Sequence, residues 1–342
     1  MCSTTFSPFY ERLARCAPVR VLGKVTVSAL LGLAVSVVHY AIIKDRMFDD
    51  WSWFLGLLIG TAMLCLYYAT YTLNHLIPRL QLHMDKSIAE VFTKPLKSIL
   101  SDRNFCIAGF VFGVLNSGLG FLFGLPYPKN EQAASVSILA GYFLAGFVCG
   151  MAVFGIYGIV RASRDAFAGD KRKFDYAAPD RCGGTKFMGD AFMVFAGVTL
   201  IVGVMISVYI LQTKWEHHDE TWVRFIQAFW IVFPYGASLY VLLGPAGALH
   251  RSLNRYKIRQ EIVIQDRLLS IRDNLDDEHL TADARKALQE DYEFNMSERQ
   301  NLHRMRTWPF GIGANLRYIG VLVGTAFAST MNVIEFLEKV NA

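Results

Sequence analysis

Charged residues are scarce in this sequence of 342 residues: only 18% are Asp, Glu, Lys or Arg, whereas 53% are hydrophobic. Typical soluble domains contain about 25% charged residues. This deficit argues against a soluble protein, although the chain is long enough for two soluble domains. Several nearly uncharged stretches exceed the ~18 residues that indicate a membrane-spanning helix. The composition therefore predicts an all-α, multipass membrane protein.

Cysteine is also scarce, and the six cysteines never form a CxxC pair. Their scattered positions argue against a disulfide framework and against a zinc site. The sequence has no HExxH or GxSxG motif and no set of carboxylates within its apolar stretches. We therefore expect no enzymatic activity, no bound metal and no cofactor. The net charge of +5 is modest, and basic cytoplasmic loops explain it better than nucleic-acid binding does.

Long apolar segments are what the sequence does contain. Six of them have about the 20 residues that are needed to cross a hydrocarbon layer of ~30 Å. These predicted spans cover residues 21–43, 52–77, 105–125, 133–160, 190–212 and 225–249. A seventh apolar segment, residues 317–337, contains Asn332 and Glu335. We expect this segment to insert into the membrane. Because a glutamate is costly in lipid, the sequence does not decide whether the segment spans the membrane fully.

Basic residues are distributed unevenly between the loops. The N-terminus and the loops after the second and fourth spans hold fifteen Lys and Arg, whereas the connections after the first, third and fifth spans hold five. An excess of basic residues marks the cytoplasmic side of a membrane. We therefore expect the N-terminus and residues 78–104, 161–189 and 250–306 to be cytoplasmic, in a chain inserted in the cell's inner membrane.

Two of these cytoplasmic segments have a helical pattern. Residues 78–104 predict an amphipathic helix that lies either on the inner leaflet or against neighbouring protein. Residues 250–306 predict two antiparallel helices, with Thr281 as the N-cap of the second. A lone hairpin has little core of its own, so we expect it to pack against copies from other subunits in a homo-oligomer. The residues expected at that interface are Ile264, Leu268 and Ile271.

This pattern divides the chain into three parts. Residues 1–249 form a transmembrane bundle that includes the amphipathic helix. Residues 250–306 form the cytoplasmic hairpin, and residues 307–342 return to the membrane.

The segment PDRCGGTKFMGD, directly before the fifth span, mixes glycines with acids and bases. Its paired glycines permit positive φ angles, and backbone N–H groups there, beside a lysine and an arginine, are suited to hold an anion such as phosphate. The spacing matches neither a dinucleotide-binding motif nor a P-loop. We prefer the alternative, a structural hinge in which the aspartate pairs with the arginine. The residues of this inner-face loop are Asp180, Arg181, Gly183, Gly184 and Lys186.

The sixth predicted span contains two breaks. Each proline removes a backbone donor, which lipid tolerates only where protein or water compensates. Because this helix leads directly into the hairpin, it is the best place for a gate; a kinked, packed helix explains the same residues equally well. The predicted pore and gate residues are Pro234, Gly236, Ser238, Gly244 and Pro245.

Other polar residues and glycines have simpler interpretations. An outer loop gathers Glu216, His217, His218, Asp219 and Glu220. Their chemistry suits a metal, but adjacent residues rarely point to one centre, so we expect a solvated loop. The glycines of the third and fourth spans favour close helix packing.

Two of these motifs together resemble a group of uncharacterised bacterial multipass membrane proteins. Those proteins share a Pro-Asp-x-x-Gly-Gly loop and a late Trp-Pro-Phe segment, and the resemblance covers about residues 130–340. The sequence differs at Gly311, where such proteins have an acid. The resemblance implies a shared fold and carries no activity. It rests on Pro179, Asp180, Gly183, Gly184, Gly189, Trp308, Pro309 and Phe310.

These features predict an oligomeric pore or ion channel in the lipid bilayer, gated through the cytoplasmic hairpin. One alternative is a non-conducting membrane sensor or scaffold, in which the hairpin and the glycine loop recruit a cytoplasmic ligand or partner protein. A secondary transporter is the weaker alternative, because the sequence has no clear inverted repeat and no dense ion site in its spans.

Overall fold

The structure is a computed structural model that describes residues 6–14, 20–44, 46–49, 51–84, 86–124, 131–168, 174–213, 215, 220–276, 281–310 and 320. Within these ranges the regular secondary structure is helical throughout. The helices are α1 (Phe9–Ala14), α2 (Arg20–Ile43), α3 (Arg46–Asp49), α4 (Ser52–His83), α5 (Lys86–Ile99), α6 (Asp102–Leu122), α7 (Gln132–Phe167), α8 (Lys186–Gln212), α9 (Thr221–Leu275) and α10 (Ala282–Arg304).

Six of the described helices, α2, α4, α6, α7, α8 and α9, are long and apolar enough to cross a membrane. Each of them contains most or all of one predicted span, which indicates a multipass membrane protein. Several helices run past the predicted limits: α7 continues to Phe167 and α9 to Leu275. The apolar run marks only where a helix meets lipid, and helix-forming polar residues extend it beyond that point.

Glycines determine how closely α6 and α7 approach. A Cβ added to Gly146 would lie 2.6 Å from the carbonyl oxygen of Phe112, and one added to Gly150 would lie 2.6 Å from that of Ala108. Only glycine leaves room for backbone contact of this kind, which is the typical basis of helix association in lipid. The packing role that we expected for these glycines is therefore confirmed at this interface.

Polar side chains inside the spans join helices to one another. His39 Nε2 lies 3.0 Å from the carbonyl oxygen of Ser137, so α2 is tied to α7. Asn116 on α6 donates to the Tyr142 carbonyl oxygen at 2.7 Å. These groups belong to different helix pairs, and each uses a backbone carbonyl as its partner. They therefore do not form a shared polar path.

Helix α5 occupies the middle of the segment in which an amphipathic helix was predicted. Its apolar residues Ile88, Phe92 and Leu96 are buried, and it packs against α7. Lys94 and Lys97 on the opposite side are exposed. Of the two placements expected from the sequence, the structure has the one against neighbouring protein, because α7 covers the stripe that would otherwise face the leaflet.

The distal part of α9 is covered by α10, which packs along it. We call residues 250–275 of α9 together with α10 the rod. Ile264, Leu268 and Ile271 are only 2–7% exposed within the single chain, and the first two share a core with Leu302 of α10. Within the single chain, α10 therefore already covers this stripe, and a role of these residues in joining subunits stays a prediction.

Some predicted features lie outside the described residues. They are the turn at 277–280, the histidines of the 216–219 loop and, apart from Gly320, the membrane-returning segment 317–337. The N-cap at the start of α10 is described: the Thr281 hydroxyl accepts a bond from the Ala284 N–H, as predicted.

Replacing Ile264 with Asp tests the packing of the rod. The substitution places an unpaired carboxylate between α9 and α10, so α10 should detach and become sensitive to limited proteolysis while the spans stay inserted. Ile262→Asp is the matched control, because Ile262 is exposed on the same part of α9. Unchanged protection of α10 in Ile264→Asp, together with a smaller particle mass, would contradict this packing and support the subunit interface predicted from the sequence.

Candidate functional site

The loop between α7 and α8 lies against the base of the rod. The structure describes it from Phe174 to Thr185, and the segment that follows α10, residues 305–310, packs onto it. We call these two segments together the junction. The junction brings together the start of α8, the middle of α9 and the end of α10, which are distant in the sequence.

Asp180 organises the loop through its carboxylate. Oδ1 accepts the backbone N–H groups of Cys182 and Gly184 at 2.9 and 3.0 Å, and Oδ2 accepts that of Lys186 at 3.0 Å. Lys186 is the first residue of α8, so its N–H has no partner within the helix. The N-cap residue Thr185 makes no side-chain cap. Asp180 therefore supplies the cap, and its charge favours the positive end of the helix dipole.

The backbone donors that the less favoured alternative assigned to an anion already bond to this carboxylate. An incoming phosphate would need the backbone donors that Asp180 holds. The predicted ion pair between Asp180 and Arg181 does not form, because the carboxylate faces the backbone and the Arg181 side chain is exposed. Lys186 is exposed as well. The geometry supports the structural interpretation of the loop over the anion-binding one.

Gly183 is required by both its conformation and its neighbours. Its φ is +65°, and an added Cβ would lie 2.8 Å from Met305 Cε and 3.0 Å from Leu253 Cδ2. Gly184 also has a positive φ, +76°, but an added Cβ would meet nothing within 4 Å. Both glycines therefore serve the turn, whereas only Gly183 lets the loop contact the rod.

Hydrogen bonds connect the two motifs on which the family resemblance rests. The Arg306 N–H donates to the Arg181 carbonyl oxygen at 2.6 Å. The Cys182 thiol donates to the Trp308 carbonyl oxygen at 3.5 Å. Cys182 is buried, and this burial raises the pKa of its thiol. The Pro-Asp-x-x-Gly-Gly loop and the Trp-Pro-Phe segment are thus two sides of one contact, which their separation in sequence does not reveal.

Close packing reinforces the same contact. A Cβ on Gly189, in the first turn of α8, would lie 2.2 Å from the Pro309 carbonyl oxygen. The Trp308 ring stacks on His250 of α9, with 4.5 Å between the ring centroids. The segment after α10 is therefore held between α8 and α9.

Side chains of the junction also reach both helices of the rod. The Tyr176 hydroxyl donates to Glu298 Oε1 on α10 at 2.5 Å, and this bond to a carboxylate raises the pKa of Tyr176 to about 12. The Phe174 ring meets Tyr256 of α9 edge-on at 5.5 Å. Lys257 of α9 donates to two backbone carbonyls at the end of α10, at 3.0 and 3.1 Å. The base of the rod is therefore fixed from several directions.

The predicted gate residues of α9 do not share a face. Pro234, Ser238 and Pro245 are buried, Gly244 is half-buried, and Gly236 is exposed. The Ser238 hydroxyl donates to a carbonyl oxygen of α8 at 2.7 Å. Helix α9 continues through both prolines without interruption. Within the chain, these residues therefore fit a packed helix, and they do not line a common path.

The sequence did not indicate a long apolar crevice between α4, α6, α7, α8 and α9. Its volume is about 220 Å³. No periodic pattern could predict it, because it arises from the way these helices diverge. Among its lining residues are Leu58, Cys65, Val153, Val198, Val202 and Pro234.

No family model matches the chain, and none of the curated proteins or solved structures matches it either. What the protein does must therefore be inferred from its own geometry.

Replacing Asp180 with Ala tests the role of this residue in the loop. Three backbone donors would lose their acceptor and α8 would lose its cap, so we expect the free energy of unfolding to fall by about 2 kcal/mol. Denaturant titration in detergent micelles measures this change. Lys186→Gln is the control, since an exposed lysine should change stability by less than about 0.5 kcal/mol. A large loss in Lys186→Gln, or none in Asp180→Ala, would contradict the structural role.

Proposed function

We propose that this protein is a non-conducting membrane sensor or scaffold, in which a cytoplasmic rod is mechanically coupled to the transmembrane bundle. One observation carries the proposal: α9 is a single helix of 55 residues, Thr221–Leu275, shared by the bundle and the rod. At 1.5 Å per residue such a helix is about 80 Å long. A partner that tilts the rod would therefore also move the part of α9 that packs within the bundle.

The junction supports this proposal because it restrains the rod where it leaves the bundle. Tilting the rod would press Met305 and Leu253 against the backbone of Gly183, or separate them from it. It would also strain the bond between Arg306 and Arg181. Tight packing of this kind tends to exchange between discrete arrangements and does not deform gradually. The junction is thus suited to convert a movement of the rod into a change at the start of α8.

The surface of the spans favours a non-conducting function. The exposed large side chains on these helices include Leu33 on α2, Phe110 on α6 and Phe229 on α9. An ion path needs polar side chains, backbone carbonyls or water along its wall. The polar residues His39, Asn116 and Ser238 instead bond to backbone carbonyls between helices.

An oligomeric pore or ion channel gated through the rod is the second candidate function. The two prolines inside α9, Pro234 and Pro245, favour it, because each leaves a helix position where bending costs little. Such a pore would form between copies of the chain in a homo-oligomer.

Labelling of the Cys182 thiol tests the coupling. In a variant whose other cysteines are serine, maleimide should react slowly with Cys182, since the thiol is buried at the junction. Detaching α10 by Ile264→Asp should raise the labelling rate at least tenfold, whereas Ile262→Asp should leave it unchanged. An unchanged rate in Ile264→Asp, with α10 detached, would mean that the rod and the junction are independent.

Planar-bilayer recording on the purified protein separates the two candidate functions. The proposal expects no unitary currents from bilayers that contain the inserted protein. Discrete unitary currents would overturn it in favour of the pore, and substrate-coupled flux without them would indicate a transporter.

A further inference from the structure

The apolar crevice extends along most of the bundle. Its lining residues on α7 run from Tyr142 to Ile159, a distance of about 26 Å along the helix axis at 1.5 Å per residue. This is close to the ~30 Å thickness of a bilayer's hydrocarbon core. The crevice is therefore long and narrow, and it lies parallel to the spans.

Several polar side chains along its wall already bond within the protein. Asn116 donates to the backbone carbonyl of Tyr142 at 2.7 Å, and the hydroxyls of Tyr142 and Tyr209 lie 3.1 Å apart. The Thr199 hydroxyl donates to the Phe195 carbonyl oxygen at 2.8 Å. A polar ligand would find few groups free to bind it. Water is equally disfavoured, because apolar cavities of this kind stay dry.

The N-terminal segment lines the end of the crevice on the side of the rod. Phe6 and Tyr10 form part of the wall there. The Phe6 backbone exchanges two hydrogen bonds with the Asn74 side chain, at 2.7 and 2.8 Å. The Tyr10 hydroxyl lies 2.8 Å from that of Thr70. These bonds hold the N-terminal segment against α4 at this end of the crevice.

Among the residues that the structure describes, the wall of the crevice is open laterally between α6 and α9. Leu115 on α6 and Phe233 on α9 line the crevice and are also 50% and 38% exposed. Both lie on helices that are apolar enough to cross the membrane. The opening therefore faces hydrocarbon.

From these features we infer that the crevice binds one linear alkyl chain, which enters laterally from the membrane. Its volume of about 220 Å³ exceeds the ~150 Å³ of an apolar protein cavity that takes up benzene. An occupant restores the dispersion contacts that an unfilled apolar wall lacks. The narrow, elongated shape selects an extended chain over a compact ring system. This inference is independent of the proposed function of the rod.

Gly155 offers a way to fill the crevice. It lines the crevice, and an added Cβ would meet only the Phe105 ring, at 3.9 Å. Gly155→Leu should therefore occupy the space without forcing the helices apart. Gly118→Leu is the matched control: Gly118 is exposed on α6, and an added Cβ would meet nothing within 4 Å.

Photo-crosslinking tests the inference on the full-length protein in phosphatidylcholine vesicles. One arm uses phosphatidylcholine with a diazirine in its acyl chain, and the other uses diazirine-labelled palmitate, so that a phospholipid chain and a free fatty acid are distinguished. Peptide mass spectrometry should locate adducts at buried lining residues such as Ala145 and Val148 of α7. Gly155→Leu should reduce these adducts at least fivefold, and Gly118→Leu should not change them.

The possible outcomes all bear on the inference. Crevice adducts from either probe that Gly155→Leu reduces would support it and would identify the source of the chain. Adducts confined to exposed residues such as Phe110 and Val232, or crevice adducts that Gly155→Leu does not reduce, would overturn it. Should Gly155→Leu fail to fold, Ala237→Leu fills the crevice from the α9 wall with the same expected loss.

Discussion

One carboxylate with three backbone donors fixes the part of the molecule where bundle and rod meet. The two adjacent glycines give the loop before α8 high conformational freedom in the unfolded chain. Asp180 holds this loop in one conformation through its three hydrogen bonds. With the loop fixed, Gly183 can face Met305, and the Arg181 carbonyl can accept the Arg306 N–H. The base of the rod thus depends on a side chain whose hydrogen bonds all go to its own loop and to the start of α8.

The bilayer imposes the second constraint. Polar groups in the spans must find partners inside the protein, because hydrocarbon offers none. His39, through Nε2, and the Asn116 side-chain amide meet this requirement by bonding to carbonyls of α7. Small residues allow the same helices to approach closely, as at Gly146 and Gly150. Between α4, α6, α7, α8 and α9 an apolar crevice remains.

The sequence predicted the features that depend on local pattern. The spans followed from hydrophobic runs, and the turn of the glycine loop followed from Gly183 and Gly184. The sequence could not predict which element packs against a given apolar stripe or polar side chain. The apolar stripe that begins at Ile264 has the same sequence pattern whether α10 or another subunit covers it. In the structure, α10 covers it. Asp180 and Arg181 are neighbours in the sequence, which suggested an ion pair, but the carboxylate bonds to backbone N–H groups instead. Opposite charges at adjacent positions do not specify the direction of either side chain. The crevice depends on the relative positions of several helices and has no sequence pattern at all.

Hydrogen–deuterium exchange at the junction tests the central claim most directly, namely that Asp180 holds the base of the rod. In the unmodified protein, the amides of Cys182, Gly184, Lys186 and Arg306 should exchange slowly, because each donates a hydrogen bond. In Asp180→Ala, we predict that all of them exchange faster together, including Arg306, whose amide bonds to Arg181 and not to Asp180. Faster exchange in the loop alone, with Arg306 still protected, would contradict the account.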